Sequence, residues 1–442
     1  MGLAALAIAL LVPVAVGTQS MPALGALGML TITVGIVVFG AEVWICLAGL
    51  VALGLFPFID PLGVAAGNAP YWLFGFALAG GLMVATFVAR TLAGESMVRP
   101  QLGVLLGLTA ALFLYTFVIL SQSSPLEVPT LAAPFIALPL GALLTFMWLL
   151  HDEALVQVQR ALPVVIVAAS AWAFMYVVGS TGQCSACQQW VGTYGTNAGL
   201  FGAESRLYTW GQEAFLVLAV LAVARALYRP STLWTTIACL GMACTVLQNS
   251  RAQDVAVFGG LLVLLIWRLS TMRAVARLMT AALGVLAFYA VLSSSVGEHI
   301  VNGYQGLSQG SGTGAYRLGL LSDLRQDFSM LGLGVSQRTV DAGYNVDLGI
   351  PNTVLILGWV GAVLQTVILC VAFIRSLLVR SATGVAFAAV MAMLLLSRPS
   401  LPILETGPGS AATGVALGIT ASLYVRAKRR AALHVITKVR VT

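Results

Sequence analysis

Apolar positions in this chain come in long unbroken runs, and polar positions are confined to the gaps between them. Runs occupy 3–16, 21–40, 42–58, 71–89, 102–120, 131–150, 161–178, 212–226, 232–247, 255–269, 274–292, 353–374, 382–396 and 411–424. Most approach the roughly 18 to 20 residues that an α-helix needs to cross ~30 Å of hydrocarbon. The pattern predicts an all-α polytopic membrane protein with about 12–14 transmembrane helices, folded as one integral membrane domain over residues 1–442. Strands of a membrane barrel would alternate polar and apolar over ~10 residues, and no such alternation is present. The run at 3–16 is short, but no basic segment precedes it and no clear cleavage site follows, so it reads as a span and not a signal peptide.

Two polar interruptions stand out by length, 179–208 and 295–352. The second, between late helices, concentrates Glu298, His299, Arg317, Asp323, Arg325, Asp327, Arg338, Asp341 and Asp347. If the spans alternate direction, Arg90, Arg99, Arg160, Arg225, Arg229, Arg268, Arg273, Arg277, Arg375, Arg380 and the basic group at 426–430 all fall on one side. The positive-inside rule makes that side the cytoplasm. Both termini are then cytoplasmic, and both long loops face outward.

Composition narrows the class further. Of 442 residues, 60% are apolar and 8% are charged, too few charges to coat a soluble chain of this length. The net charge of +7 taken alone would point to nucleic acid, but its place in short loops and a C-terminal tail fits membrane orientation instead. No nucleotide fingerprint, phosphate-binding loop or HExxH occurs. Cys46, Cys239, Cys244 and Cys370 fall in spans and read as small apolar fillers. Cys184 and Cys187 form a CxxC in an outer loop. With no second pair and no nearby His, the motif reads as a local disulfide in an oxidising compartment and not as a zinc site.

The candidate chemistry lies at the outer face. Asn249-Ser250-Arg251-Ala252-Gln253-Asp254 opens a span. Arg251 there either snorkels to lipid headgroups or binds an anion with bidentate contacts. Gly310-Ser311-Gly312-Thr313-Gly314-Ala315-Tyr316-Arg317 is a glycine-rich approach to a segment with helical spacing. From Tyr316 to Met330, Leu318, Leu321, Leu324 and Phe328 share one face, and Arg317 and Arg325 are two turns apart. The segment is either an interfacial helix turning arginines to a polar cavity or an amphipathic surface helix with solvated charges. Leu331-Gly332-Leu333-Gly334-Val335 makes a turn, and Gly358-Trp359-Val360-Gly361 lies inside the next span.

That order resembles the family of O-antigen ligases and O-antigen or exopolysaccharide polymerases. The features are an outer Ser-Arg opening a helix, one more span, and a long outer loop with a glycine-rich Arg, a short helix, Gly-x-Gly and a polar residue entering a Gly-x-x-Gly span. The likeness covers about 249–363; elsewhere it is only a string of spans. It implies a metal-independent membrane glycosyltransferase without cofactor, using glycans on polyprenyl diphosphate at the periplasmic face of a bacterial inner membrane. It further implies that Arg251, Arg317 and Arg325 hold the diphosphate, with Ser250 and Arg206 as further substrate contacts. Ligases of the family resemble one another in a His near the end of the large loop, where this chain has Asn345 and Asp347. The resemblance therefore favours a polymerase, with Asp347 as base or sugar-orienting group and His299 and Glu298 as rivals. The family's paired arginine loops are matched poorly: 179–208 supplies only Arg206, with Glu204 beside it. A flippase and a chain-length regulator are the partners such a polymerase implies. The alternatives are a ligase acting on lipid A-core and a polysaccharide flippase or transporter, which would place ionisable groups near the middle of its spans.

Overall fold

The computed structural model describes residues 41–52, 71–98, 103–122, 132–154, 212–228, 230–247, 251–271, 325–335, 349–399 and 406–441, with a few single positions besides. The expected spans at 3–16, 21–40, 161–178 and 274–292 lie outside these residues, as do Cys184 and Cys187. Among the described residues the protein is built of helices and contains no β-strand. They are α1 (Ala41–Ala52), α2 (Tyr71–Leu92), α3 (Val104–Leu120), α4 (Ala133–Trp148), α5 (Gln212–Tyr228), α6 (Thr232–Leu247), α7 (Arg251–Thr271), α8 (Gly349–Leu378), α9 (Ala382–Ser397) and α10 (Gly407–Val441). A single 3-10 turn, Arg325–Asp327, precedes α8. By length and composition α2, most of α7 and α8 are able to cross a membrane, and α3, α4, α5, α6 and α9 contribute shorter apolar helices.

The apolar runs become helices for a simple reason. A backbone removed from water must satisfy its own N–H and C=O groups, and a helix does so within one segment. α5 and α6 begin where the hydropathy pattern places them. α10 is longer than its expected span, extending to Val441 through the basic sequence after Tyr424. α8 likewise begins and ends four residues beyond its expected limits.

α9 is the centre of the packing. It is apolar all round, and Gly384 through Met391, Met393, Leu394 and Ser397 are buried. Leu216 and Val220 of α5, Ala256, Val257 and Leu264 of α7, Ile368 and Leu369 of α8, and Leu417 and Ala421 of α10 join it in one continuous core. α7 runs antiparallel to α9, with Gly259 against Leu396 and Gly260 against Ala389 and Met393. α10 runs parallel to α4. Gly414 meets the Leu138 carbonyl, Gly418 meets Ala142 and Thr145, and Ser422 donates to the Leu149 carbonyl at 3.3 Å. Small residues let these two backbones approach as closely as apolar helices pack in lipid. Of the four described cysteines, Cys46 is half-buried and Cys244 is buried, but Cys239 and Cys370 are exposed on the outer surface of the bundle, so only the first two fill interior space.

The two ends of the bundle differ in charge. At one end Arg90 pairs with Glu42 and Arg426 pairs with Asp152. Arg426 also donates to the carbonyls of Leu149 (2.7 Å) and His151 (3.1 Å). A strap after α2 closes this end, with Val98 N–H on the Leu150 carbonyl at 2.9 Å and a bridge between Met97 and His151. His151 is fully buried between Phe87, whose ring centre is 5.3 Å away, and Thr91, whose hydroxyl is 3.3 Å from Nε2. Arg375 lies over the Tyr424 ring at 4.4 Å, and the antiparallel order brings Arg225, Arg268 and Arg380 toward the same end. The arginines that the sequence assigns to one side thus gather at one end of the bundle. The opposite end carries the start of α7, the 3-10 turn and the end of α9.

Candidate functional site

α8 is not one helix. At Gly358 the backbone takes φ 68° and ψ 178°, a conformation open to glycine and costly to any other residue. The break separates a half-helix, 349–357, buried at every residue but Ile350, from a second half, 359–378. The second half alone is about 30 Å long at 1.5 Å per residue. The span expected at 353–374 is therefore interrupted at Gly358, and the second half alone has crossing length.

Breaking a helix leaves carbonyls without partners on one side and N–H groups without partners on the other. Here one peptide segment satisfies both. Leu333 N–H donates to the Leu355 carbonyl at 3.0 Å and Gly334 N–H to the Ile356 carbonyl at 3.1 Å. In the other direction, Trp359 N–H donates to the Ser329 carbonyl and Val360 N–H to the Met330 carbonyl, each at 3.1 Å. Segment 329–334 is thus laid across the gap in α8. Gly332 (φ 82°) and Gly358 face each other there, and a Cβ on either would collide with the backbone of the other. The Tyr115 hydroxyl of α3 lies 2.7 Å from the Leu357 carbonyl and 2.9 Å from that of Leu331, binding both strands of the joint to a third helix. Val335, Ile356 and Leu357 pack beneath it on Ile119, Ala132 and Phe135.

The joint explains a second departure from expectation. The helical spacing from Tyr316 to Met330 predicts a helix running to Met330, but regular structure stops with the 3-10 turn at Asp327. Beyond it, the carbonyls of Ser329 and Met330 are committed to α8, and the Ser329 hydroxyl accepts from Gly332 N–H at 2.9 Å. With those carbonyls taken, no helix can be carried on past this point toward Gly334. Phe328 instead turns its ring edge toward Trp359, 6.0 Å between centres at 84°.

The site residues expected from sequence are distributed unevenly. Arg251 opens α7, as the Ser-Arg pattern implies, at the end of the bundle away from the paired basic residues. Three residues along, Asp254 is half-buried and Gln253 is 3% exposed on the face that meets α9. Arg325 stands exposed on the 3-10 turn, one short step from the joint. Arg206, Ser250, Glu298, His299, Arg317 and Asp347 lie outside the described residues. Among the described residues, no group of three or more His, Cys, Asp and Glu side chains could hold a metal ion.

One residue escaped the sequence reading. Arg398, at the end of α9, is 3% exposed, and its Nη1 donates to Oε1 of Gln365 on α8 at 2.6 Å. Its carbonyl accepts from Ile350 N–H at 3.0 Å, tying the end of α9 to the first turn of half-helix 349–357. The signal was present in the sequence: Arg398, like Arg251, sits at a short outer loop, against the positive-inside trend of the other short-loop arginines. What could not be read was that this arginine is buried. The Gly-x-Gly and Gly-x-x-Gly motifs, by contrast, were both singled out in the sequence, and the structure brings them into contact. No family model matches the chain, and no curated protein matches it.

Proposed function

We propose that this protein is a polysaccharide polymerase of a bacterial inner membrane, a metal-independent glycosyltransferase joining repeat units carried on polyprenyl diphosphate at the periplasmic face. An acceptor hydroxyl attacks the anomeric carbon of the donor sugar. The bond from that carbon to the phosphate oxygen breaks, polyprenyl diphosphate leaves with the electron pair, and a base takes the hydroxyl proton. Asp347 is the assigned base, with His299 and Glu298 as the competing assignments. Arg251, Arg317 and Arg325 neutralise the leaving diphosphate, with Ser250 and Arg206 contributing to substrate binding. Both termini lie in the cytoplasm, and a flippase and a chain-length regulator are the expected partners.

The observation that supports this reading best is the joint itself. It anchors residues 329–334 of the long polar loop, with Arg325 close by in sequence, at the bundle end where Arg251 and Arg398 also sit. An enzyme acting on an anionic lipid at an interface needs its cations gathered and fixed there, since misplacement by ~1 Å is costly to catalysis.

A broken helix also favours a second reading, a flippase or transporter, because transporters bind substrates on the free ends of discontinuous helices. The geometry weighs against it. Both ends at the Gly358 break are already filled by segment 329–334, so neither dipole end is open to a substrate. A ligase acting on lipid A-core is the remaining alternative. One experiment separates all three: mass spectrometry of polyprenyl-linked glycans from a strain lacking the gene, compared with its surface polysaccharide. A polymerase predicts single repeat units on lipid and no long polymer. Long polymer retained on lipid indicates the ligase, and an unchanged lipid-linked pool sinks the enzyme and leaves the transporter.

A further inference from the structure

We propose that Arg398 is a positioning residue: it grips both halves of the broken α8, keeps the joint at Gly358 in register, and so holds Arg325 in place. Its role in the reaction rests on the polymerase reading; the grip itself does not.

Three observations converge. First, one residue of α9 serves both sides of the break. The Arg398 carbonyl accepts from Ile350 N–H at 3.0 Å, in the first turn of half-helix 349–357. Its Nη1 donates to Oε1 of Gln365 at 2.6 Å, on the second half. Arg398 and Gln365 are 3% and 1% exposed, so water does not compete for their bond. A hydrogen bond from a charged donor is roughly twice as strong as a neutral one.

Second, the joint needs such a grip. Segment 329–334 bonds to both halves, through Leu333 and Gly334 N–H to the first and through the Ser329 and Met330 carbonyls to the second. A shift of one half against the other therefore breaks one pair of bonds. Gly358 offers little resistance to that shift, because glycine is conformationally permissive. The Tyr115 hydroxyl hydrogen-bonds only the segment and the first half, at Leu331 and Leu357. Arg398 supplies what is missing, a tie from both halves to α9. That helix is a firm reference, buried along most of its length at the centre of the core.

Third, the joint leads directly to a cation of the proposed site. Arg325 stands on the 3-10 turn that ends at Asp327. The next three residues all engage the second half of α8. Phe328 meets the Trp359 ring at 6.0 Å between centres, and the Ser329 and Met330 carbonyls accept from Trp359 and Val360 N–H. The place of Arg325 thus follows the second half, and Arg398 fixes the second half against the first.

The grip is read without reference to activity by hydrogen exchange of full-length protein in lipid nanodiscs, over peptides covering 329–335 and 355–360. Gln365→Leu removes the acceptor. Arg398→Met removes the donor and leaves an apolar side chain in an apolar bundle, so the test stands even where one variant fails to fold. Exchange in these peptides is expected to be about tenfold faster in either variant. Gln365→Glu keeps an oxygen for the guanidinium and is expected to restore slow exchange. Wild-type exchange in a folded Gln365→Leu or Arg398→Met variant overturns the grip. Turnover of lipid-linked repeat units extracted from the deletion strain then reads the positioning. Gln365→Leu is expected to lower kcat about tenfold with KM little changed, since Arg325 is assigned to charge that develops in the transition state. On an Arg325→Ala background the same change is expected to cost less than about twofold, because the residue it acts through is gone. Equal losses on both backgrounds overturn the positioning role. Failure of the polymerase reading shows separately: exchange responds to Gln365→Leu while the wild type does not lengthen the extracted units, which removes the role in the reaction and leaves the grip.

Discussion

Gly332 and Gly358 occupy each other's Cβ space. Both residues have left-handed φ, 82° and 68°, and each lies on the backbone of the other's segment. The contact holds only while both lack a side chain. Around it, four backbone hydrogen bonds convert a break in α8 into a joint that fixes residues 329–334 of the long polar loop.

The first prediction follows from that geometry. Gly358→Ala places a methyl group in the Gly332 backbone and forces alanine into a positive-φ region essentially reserved for glycine, which alone costs about 1–3 kcal/mol. We expect a lowered melting temperature in detergent for Gly358→Ala and for Gly332→Ala. The double variant should lose less than the sum of the two, because both substitutions break one contact. Strict additivity would show that the two glycines act independently and that the joint is not a unit.

Tyr115 tests the same joint from another helix. Tyr115→Phe keeps the ring against Ile119, Phe135 and their neighbours and removes only the hydroxyl between the Leu331 and Leu357 carbonyls. The expected cost is about 1–2 kcal/mol, with earlier proteolytic cleavage near residues 325–335. Unchanged cleavage would mean that the four backbone bonds suffice.

At the basic end, Arg426 and Asp152 form an ion pair, but their importance differs. Asp152 is half-exposed, and such pairs contribute about 0–1 kcal/mol. Arg426 is largely buried and also serves the carbonyls of Leu149 and His151. Its loss takes this donor from the His151 carbonyl and leaves the Leu149 carbonyl to Ser422 alone, at about 1–3 kcal/mol. Arg426→Ala should therefore lower the melting temperature clearly more than Asp152→Asn. Equal effects would show that the ion pair, and not the carbonyl contacts, secures α10 to α4.

For the proposed chemistry, Arg251→Ala and Arg317→Ala should abolish long polymer in cells while leaving protein levels intact, read by immunoblot beside polysaccharide gels. Normal polymer in both variants would remove these arginines from the site. Asp347→Asn should reduce polymer as strongly if Asp347 is the base. Full activity there shifts the role to His299 or Glu298.

Much of the architecture was written in the sequence. Apolar runs specify helices because a backbone out of water has few other ways to satisfy its polar groups. α5 and α6 accordingly start at Gln212 and Thr232, where hydropathy places them. The charge pattern likewise separates the basic end from the other, since loop arginines mark orientation. The glycine motifs at 332–334 and 358–361 were visible as motifs, because glycine at close intervals signals special backbone. Only the tertiary structure decided that they meet. A break in a helix is tolerable when another segment supplies its missing partners, and nothing local to Gly358 names segment 329–334 as that supplier. The same holds for Arg398. Sequence placed it at an outer loop, but its burial depends on Gln365 and Ile350 arriving from another helix, a coincidence in space that no periodicity along one chain records.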